Sequence, residues 1–177
     1  MRKRLSPAKL ICALCLLGVG GVGLWMLRID RAMLRAGKKH RVDPLLLRAV
    51  GITESNLNPK AVGAAGEIGM FQIMPNTARH WAEKTGHKAP DTPQLFRVGL
   101  NAQISAWYLR EGLDEFADRE DPLPYALAYY NAGPSRVRAW VVDPVPGIPF
   151  TESIPFPSTR AYVTKILGIY RGESTRN

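Results

Sequence analysis

Eighteen consecutive residues without a charge, Leu10 to Leu27 (LICALCLLGVGGVGLWML), set the first constraint on this chain of 177 residues. Wound as a helix, such a run is about 27 Å long, just enough for the hydrocarbon core of a bilayer. Arg2, Lys3, Arg4 and Lys9 precede it, as a retained cytoplasmic flank or a signal n-region requires. A cleaved signal has a shorter apolar core and a small-x-small cleavage site. Here the run ends in Trp25-Met26-Leu27-Arg28-Ile29-Asp30, which is bulky and charged. The expectation is a retained signal anchor over 10–27, single-pass, with a basic cytoplasmic tail over 1–9 and the remainder outside. Arg28, Arg31, Arg35, Lys38, Lys39 and Arg41 on the far flank limit the support from the positive-inside rule. Cys12 and Cys15 read as small apolar fillers of the span. Ile11 and Leu14 stand before them, where a lipid-modified cysteine needs a small neighbour.

The net charge of +9 suggests a polyanionic partner until it is located along the chain. Residues 1–43 hold ten Lys/Arg and two acidic residues; residues 44–177 hold fourteen and thirteen. The basicity therefore belongs to the N-terminal segment. A nucleic-acid partner, which needs a basic face on the folded domain, is set aside. With 46% apolar residues the chain is too hydrophobic for disorder, and its length allows one ordinary domain with an appendage.

Residues 28–42 read as a basic, partly helical juxtamembrane linker, and the domain proper as 43–172. Asp43 is a good N-cap and Pro44 suits the first helical position, so a helix is predicted through LLLRAVGITES. A Gly-rich loop follows from Gly63 to Gly69. Further helices are predicted over Pro75–Thr85 with Gly86 as C-cap, 95–116 with Leu100, Ile104, Trp107 and Tyr108 in one stripe, 124–130, 134–141 and 159–170. Alternating strand patterns bounded by turns are missing. The fold class is all-α, a helical domain behind a single N-terminal transmembrane helix.

His40, His80 and His87 lack ligand spacing, and the cysteines lie in the span, so no metal and no cofactor are expected. Glu54 stands out instead. Three, four and seven positions back lie Gly51, Val50 and Leu47, so its carboxylate projects from an apolar stripe. It also sits near a helix C-terminus, where the macrodipole disfavours negative charge. Both effects raise its pKa towards the range a general acid needs. Spacing alone leaves the alternative open, a Glu at a frayed helix end, free in water.

The stretch after Glu54 reads ESNLNPKAVGAAGEIGMFQIMPNTA, with AYYNAG and TRAYV far downstream. This ordered set resembles the catalytic domain of the soluble lytic transglycosylase family, relatives of goose-type lysozymes. The matching pieces are Glu54-Ser55, Asn58-Pro59, Ala61, Gly69-Met70-Phe71-Gln72, Met74-Pro75 and Thr77-Ala78, then Asn101 with Tyr108-Leu109, and Tyr130-Asn131-Ala132-Gly133. The resemblance covers roughly residues 40–170 and implies a lysozyme-like helical fold.

It further implies that the substrate is the glycan strand of peptidoglycan, cut between N-acetylmuramic acid and N-acetylglucosamine. Glu54 would act as acid and then as base, leaving a 1,6-anhydromuramoyl end without water. Tyr130 matches a tyrosine expected beside the catalytic carboxyl. Gln72 and Asn131 match amides lining the sugar cleft, and Met70 and Phe71 match an apolar surface for pyranose rings. Ser55 and Tyr162 complete the implied contacts, although Ser55 equally suits a helix end, and Phe71 and Met74 equally suit core packing. The implied location is the bacterial inner membrane with the domain in the periplasm, facing the wall, in service of wall remodelling or of a secretion or pilus assembly.

Four departures from the family pattern stand in the chain. The usual Ser nine residues after the Glu is Gly63, the usual Ala of G-A-x-G is Glu67, a usual Gly is Ser105, and E-T-R is Ser158-Thr159-Arg160. The hydroxyl missing at Gly63 motivates a second expectation, a non-catalytic glycan-binding or scaffold module. Glu67 motivates a third, a lysozyme-type hydrolase in which a second carboxylate activates water, although a charge between Gly66 and Gly69 more often sits in solvent.

Overall fold

A computed structural model describes residues 7–142 and 147–175, excluding the side chains of residues 7–22 and of Glu173. Nine helices occur among the described residues: α1 (Pro7–His40), α2 (Pro44–Ser55), α3 (Pro75–Thr85), α4 (Thr92–Leu95), α5 (Val98–Glu115), α6 (Leu123–Ala132), α7 (Pro134–Trp140), α8 (Phe150–Ser153) and α9 (Pro157–Ser174). No strand forms among them; isolated bridges pair Val62 with Ile68 and Ile68 with Ile73. The expected all-α class holds.

Local sequence accounts for several boundaries. Asp43 caps α2 by accepting from the Leu45 N–H at 2.8 Å, and Pro44 follows it. Gly86, at φ 71°, ends α3 in the left-handed conformation. The helix expected over 95–116 is interrupted. Asp91 and Gln94 close a capping box around the single turn of α4, and α5 starts afresh at Val98. The α5 stripe is also broader than its large side chains suggest. Asn101, Ala102, Ile104, Ser105, Ala106, Leu109 and Gly112 are all buried, because α1, α2, α3, α4 and α6 surround this helix.

The N-terminal region departs most from expectation. Residues 28–40 are not a linker: they continue α1, which packs along α5. Ile29 is 0% exposed, Met33 2% and Ala36 3%. Their spacing of four and three residues places one apolar face in the core while Arg28, Arg31, Arg35, Lys38 and Lys39 stay exposed. Asp30 adds an ion pair to Arg48 of α2 at 2.9 Å. The domain thus begins before residue 43, at Ile29 or earlier. Of the expected anchor over 10–27, the side chains through residue 22 lie outside the description. Among the described residues no helix is long and apolar enough to cross a membrane.

α2 lies between α1 and α9, and α9 also packs on α6. This stacking brings the end of α2, the tail of α6 and the middle of α9 together above the loop between α2 and α3.

Candidate active site

Glu54 occupies the last turn of α2, over the fully buried Leu47 and Val50. Its side chain is half-buried, and Oε1 accepts a 2.6 Å hydrogen bond from the Tyr162 hydroxyl of α9. Burial lifts the carboxyl from its ordinary 4.5 to about 7; the Tyr162 hydrogen bond works the other way, and the charge of Glu67 adds to the rise. Glu54 is therefore a carboxyl that exchanges its proton near neutral pH, not a glutamate free at a frayed helix end. Burial, together with the Glu54 charge, also pushes the Tyr130 and Tyr162 hydroxyls well above their ordinary range, so both remain neutral donors.

The loop after α2 is built around a buried side chain on α5. The Asn101 carbonyl oxygen accepts from the Phe71 N–H at 2.8 Å, and its amide donates to the carbonyl oxygens of Ile68 (2.9 Å) and Leu95 (3.0 Å). Gly69 passes so close, at φ 80°, that a Cβ there would lie 2.7 Å from Asn101 Nδ2. The capture of the Leu95 carbonyl by Asn101 also explains why one helix does not run through 95–116.

The residues read from the sequence fall into two groups. Glu54, Gln72, Asn131 and Tyr162 keep surface at the site: Asn131 is exposed, and the others are half-buried. Asn131 is oriented by the Thr159 hydroxyl, which donates to its Oδ1 at 2.8 Å. Gln72, at φ 47°, donates its side-chain amide to the Gly69 carbonyl oxygen at 2.9 Å. Ser55, Met70, Phe71 and Tyr130 support the site from behind. Met70 and Phe71 are 0% exposed, so they are core residues and offer no face to a sugar ring. The Ser55 hydroxyl donates to the Met70 carbonyl oxygen at 2.7 Å and accepts from the Asn58 N–H at 3.0 Å, which uses it to pin the loop to α2.

Tyr130 does not hydrogen-bond Glu54. Its hydroxyl donates to the Phe71 carbonyl oxygen at 2.9 Å and hydrogen-bonds the Ser105 hydroxyl at 3.0 Å. Ser105, one of the departures from the family pattern, thereby supplies a partner that glycine lacks. The direct partner of Glu54 is Tyr162, and the buried staple Asn101 is the structural residue whose role the spacing concealed. Glu67 is not the solvated charge its loop suggested: it is half-buried and accepts from the Ala65 N–H at 2.9 Å. Among the described residues no cluster of three or more His, Cys, Asp or Glu is placed to hold a metal ion.

Tyr162→Phe removes a hydrogen bond that favours ionised Glu54. The carboxyl is therefore expected to titrate at still higher pH than about 7. Carbon-13 NMR titration of the Glu54 carboxyl checks this; an unchanged or lower midpoint contradicts the assignment.

A helical body in which a carboxyl with a raised pKa at the end of α2 is braced by a tyrosine from α9 has the architecture of the lysozyme-like class. Within that class the match is narrower. Residues 31–144 fit the model of the Transglycosylase SLT domain, and the chain belongs to that family. It is 36% identical over 125 residues to the soluble lytic murein transglycosylase of Escherichia coli K12, covering 67% of this chain and 19% of that protein. Among solved structures it resembles the 70 kDa soluble lytic transglycosylase of E. coli (TM-score 0.73, 31% identity, 80% of this chain and 23% of that one). It also resembles an inactive Glu-to-Gln mutant of the lytic transglycosylase Slt of Pseudomonas aeruginosa (TM-score 0.71, 31% identity, 79% of this chain and 23% of that one). The chain thus spans about a fifth of the length of the curated relative it matches. The family match begins at residue 31, inside α1, in agreement with the packing of that helix into the core.

Proposed function

We propose that the chain is a peptidoglycan lytic transglycosylase in which Glu54 serves as both acid and base. The observation that carries this reading is the half-buried Glu54 carboxyl, poised between its protonated and ionised forms near pH 7, in a domain of the transglycosylase family. Protonated Glu54 gives its proton to the glycosidic oxygen as the bond to the muramoyl anomeric carbon breaks. The muramoyl C6 hydroxyl then closes onto that carbon, and its proton passes to the Glu54 carboxylate. The net result is a 1,6-anhydromuramoyl end and a free glycan end, with no water consumed and the catalyst restored. One group alternating between the two roles works best with a pKa near the operating pH. Tyr162 orients the carboxyl, while Gln72 and Asn131 present amides suited to N-acetyl and hydroxyl groups.

Digestion of purified cell wall followed by mass spectrometry of the muropeptides tests the proposal. Anhydromuramoyl ends are expected. Reducing ends would assign hydrolysis, with Glu67 as the water-activating carboxylate, and the absence of products would assign a binding module.

The proposal extends to location: the enzyme sits at the inner membrane, anchored through residues 10–27 with the domain facing the wall. The uncharged run supports this, as does its continuity in α1 with the exposed cationic side chains that follow. Leu24, Leu27, Arg28, Arg31, Arg35 and Lys39 lie along a groove of about 690 Å³ against the start of α5. This mixed apolar and cationic face suits anionic headgroups. Protease added to spheroplasts is expected to degrade the domain while intact cells protect it. Survival of the domain in spheroplasts would contradict the topology.

A further inference from the structure

Gly63 and Glu67, two of the departures from the family pattern, share one piece of space. A Cβ built on residue 63 would collide with Glu67 Oε2 and lie 2.7 Å from Gln72 Oε1. The space a side chain at position 63 would occupy is thus already taken by the Glu67 carboxylate. The turn holds it there: the Gly63 N–H donates to the Glu67 carbonyl oxygen at 2.8 Å, and the Ala65 N–H donates to Glu67 Oε2 at 2.9 Å. Gln72 is fixed as well. Its amide nitrogen is spent on the Gly69 carbonyl oxygen, which leaves Oε1 turned towards residue 63.

The outcome is two acceptors, one a carboxylate and one an amide oxygen, held side by side against Gly63, where no side chain separates them. A serine at position 63 would offer a hydroxyl able to donate to a carbonyl; this pair only accepts. Its complement is a hydrogen-bond donor. Of the donors on a sugar ring, hydroxyls also accept, whereas the N–H of an N-acetyl group only donates and so matches a pair that only accepts.

We propose that Glu67, with Gln72 Oε1, binds the N–H of an N-acetyl group on the sugar beside Glu54, and that Gly63 is the opening that lets Glu67 do so. The inference rests on the transglycosylase reading and adds to it the residue that positions the acetamido group. An N–H held by a carboxylate pushes electron density towards the acetamido oxygen. That oxygen is then better placed to stabilise positive charge at the anomeric carbon while the glycosidic bond breaks. The Glu67 charge also acts on Glu54, which accepts from Tyr162 of α9 and in turn pushes up the Tyr130 hydroxyl of α6, so it helps Glu54 keep its proton.

A double-mutant cycle with glycan strands as substrate tests the pairing. Glu67→Ala is expected to lower kcat/KM about 10- to 100-fold, the size of one lost charge-assisted hydrogen bond. Gly63→Ser alone should cost a comparable amount by displacing the carboxylate. The double variant Gly63→Ser/Glu67→Ala is expected to recover to within about fivefold of wild type, because the carboxylate is gone and only the end of the flexible Gln72 side chain must shift to admit the serine. Glu67→Gln, which keeps shape and removes charge, should move the alkaline limb of the pH–rate profile to lower pH, an effect that packing alone does not produce. Neutral single variants, or effects that simply multiply in the double variant, would overturn the inference. An unmoved alkaline limb in Glu67→Gln would do the same.

If wild type releases no anhydro product, the transglycosylase reading fails separately. The cycle is then read as affinity for an N-acetylglucosamine tetramer by titration calorimetry. The same pattern of two losses and one recovery is expected there, and equal affinities would overturn the pairing.

Discussion

Glu54→Gln is expected to lower release of anhydromuramoyl product by about a thousandfold or more, the scale of a lost general acid and base. It is also expected to make the folded protein more stable above neutral pH. An unfolded Glu ionises near 4.5, whereas the folded site holds the proton to about 7. Between those values the folded state binds more protons, so stability falls as pH rises across that window. Once pH exceeds both values, the burial of an ionised Glu54 costs on the order of 3 kcal/mol, which a neutral glutamine does not incur. Denaturant unfolding at pH 5 and pH 8 checks this. The variant should gain ~2–3 kcal/mol over wild type at pH 8 and little at pH 5. Equal stabilities at both pH values, or retained turnover, would remove Glu54 from the role given to it. A residue that weakens the fold in the state where it has lost its proton is one kept for chemistry.

Asn101→Ala is expected to be the most damaging substitution to the fold outside the apolar core. Asn101 is 1% exposed and satisfies three backbone groups on two separate segments. Its loss leaves the Phe71 N–H and the Leu95 carbonyl buried without partners and takes one of two donors from the Ile68 carbonyl, which keeps the Ile73 N–H, for a cost of about 3 kcal/mol or more. Asn101→Asp separates hydrogen bonding from volume. A carboxylate still accepts from Phe71 but turns an oxygen towards two carbonyls, so this variant should recover stability at low pH, where its protonated oxygen donates. Urea unfolding of both variants across pH checks it. A loss below about 1 kcal/mol in the alanine variant would mean that water replaces the side chain.

Much of this organisation was legible from residues that act locally. Asp43-Pro44 and Gly86 mark helix ends by their own conformational preferences, and the structure places those ends where the preferences put them. Glu54 was legible for a different reason: three apolar helical neighbours fix its surroundings whatever the rest of the chain does. The interruption before Val98 was not legible, because it depends on Asn101 reaching back to the Leu95 carbonyl. The packing of residues 28–40 was hidden by composition. The apolar positions Ile29, Met33 and Ala36 have clean helical spacing, but six basic residues around them give the segment the composition of a linker.

Within the site, motif resemblance identified residue types better than it assigned their tasks. Met70 and Phe71 look like a sugar-facing surface in a motif and lie wholly inside the protein. Tyr130 and Tyr162 are both tyrosines near the carboxyl, and only the packing of α9 on α2 shows which of them reaches it. The paired meaning of Gly63 and Glu67 shows only in three dimensions, because each departure alone resembles a loss.

The bond between Tyr162 and Glu54 joins positions 108 residues apart. A ribosome finishes most of the body well before it delivers the helix that carries the tyrosine. Until that late segment settles against its partners, the acidic group lacks its guide. The carboxyl is made first and waits for its guide until α9 folds back onto α2.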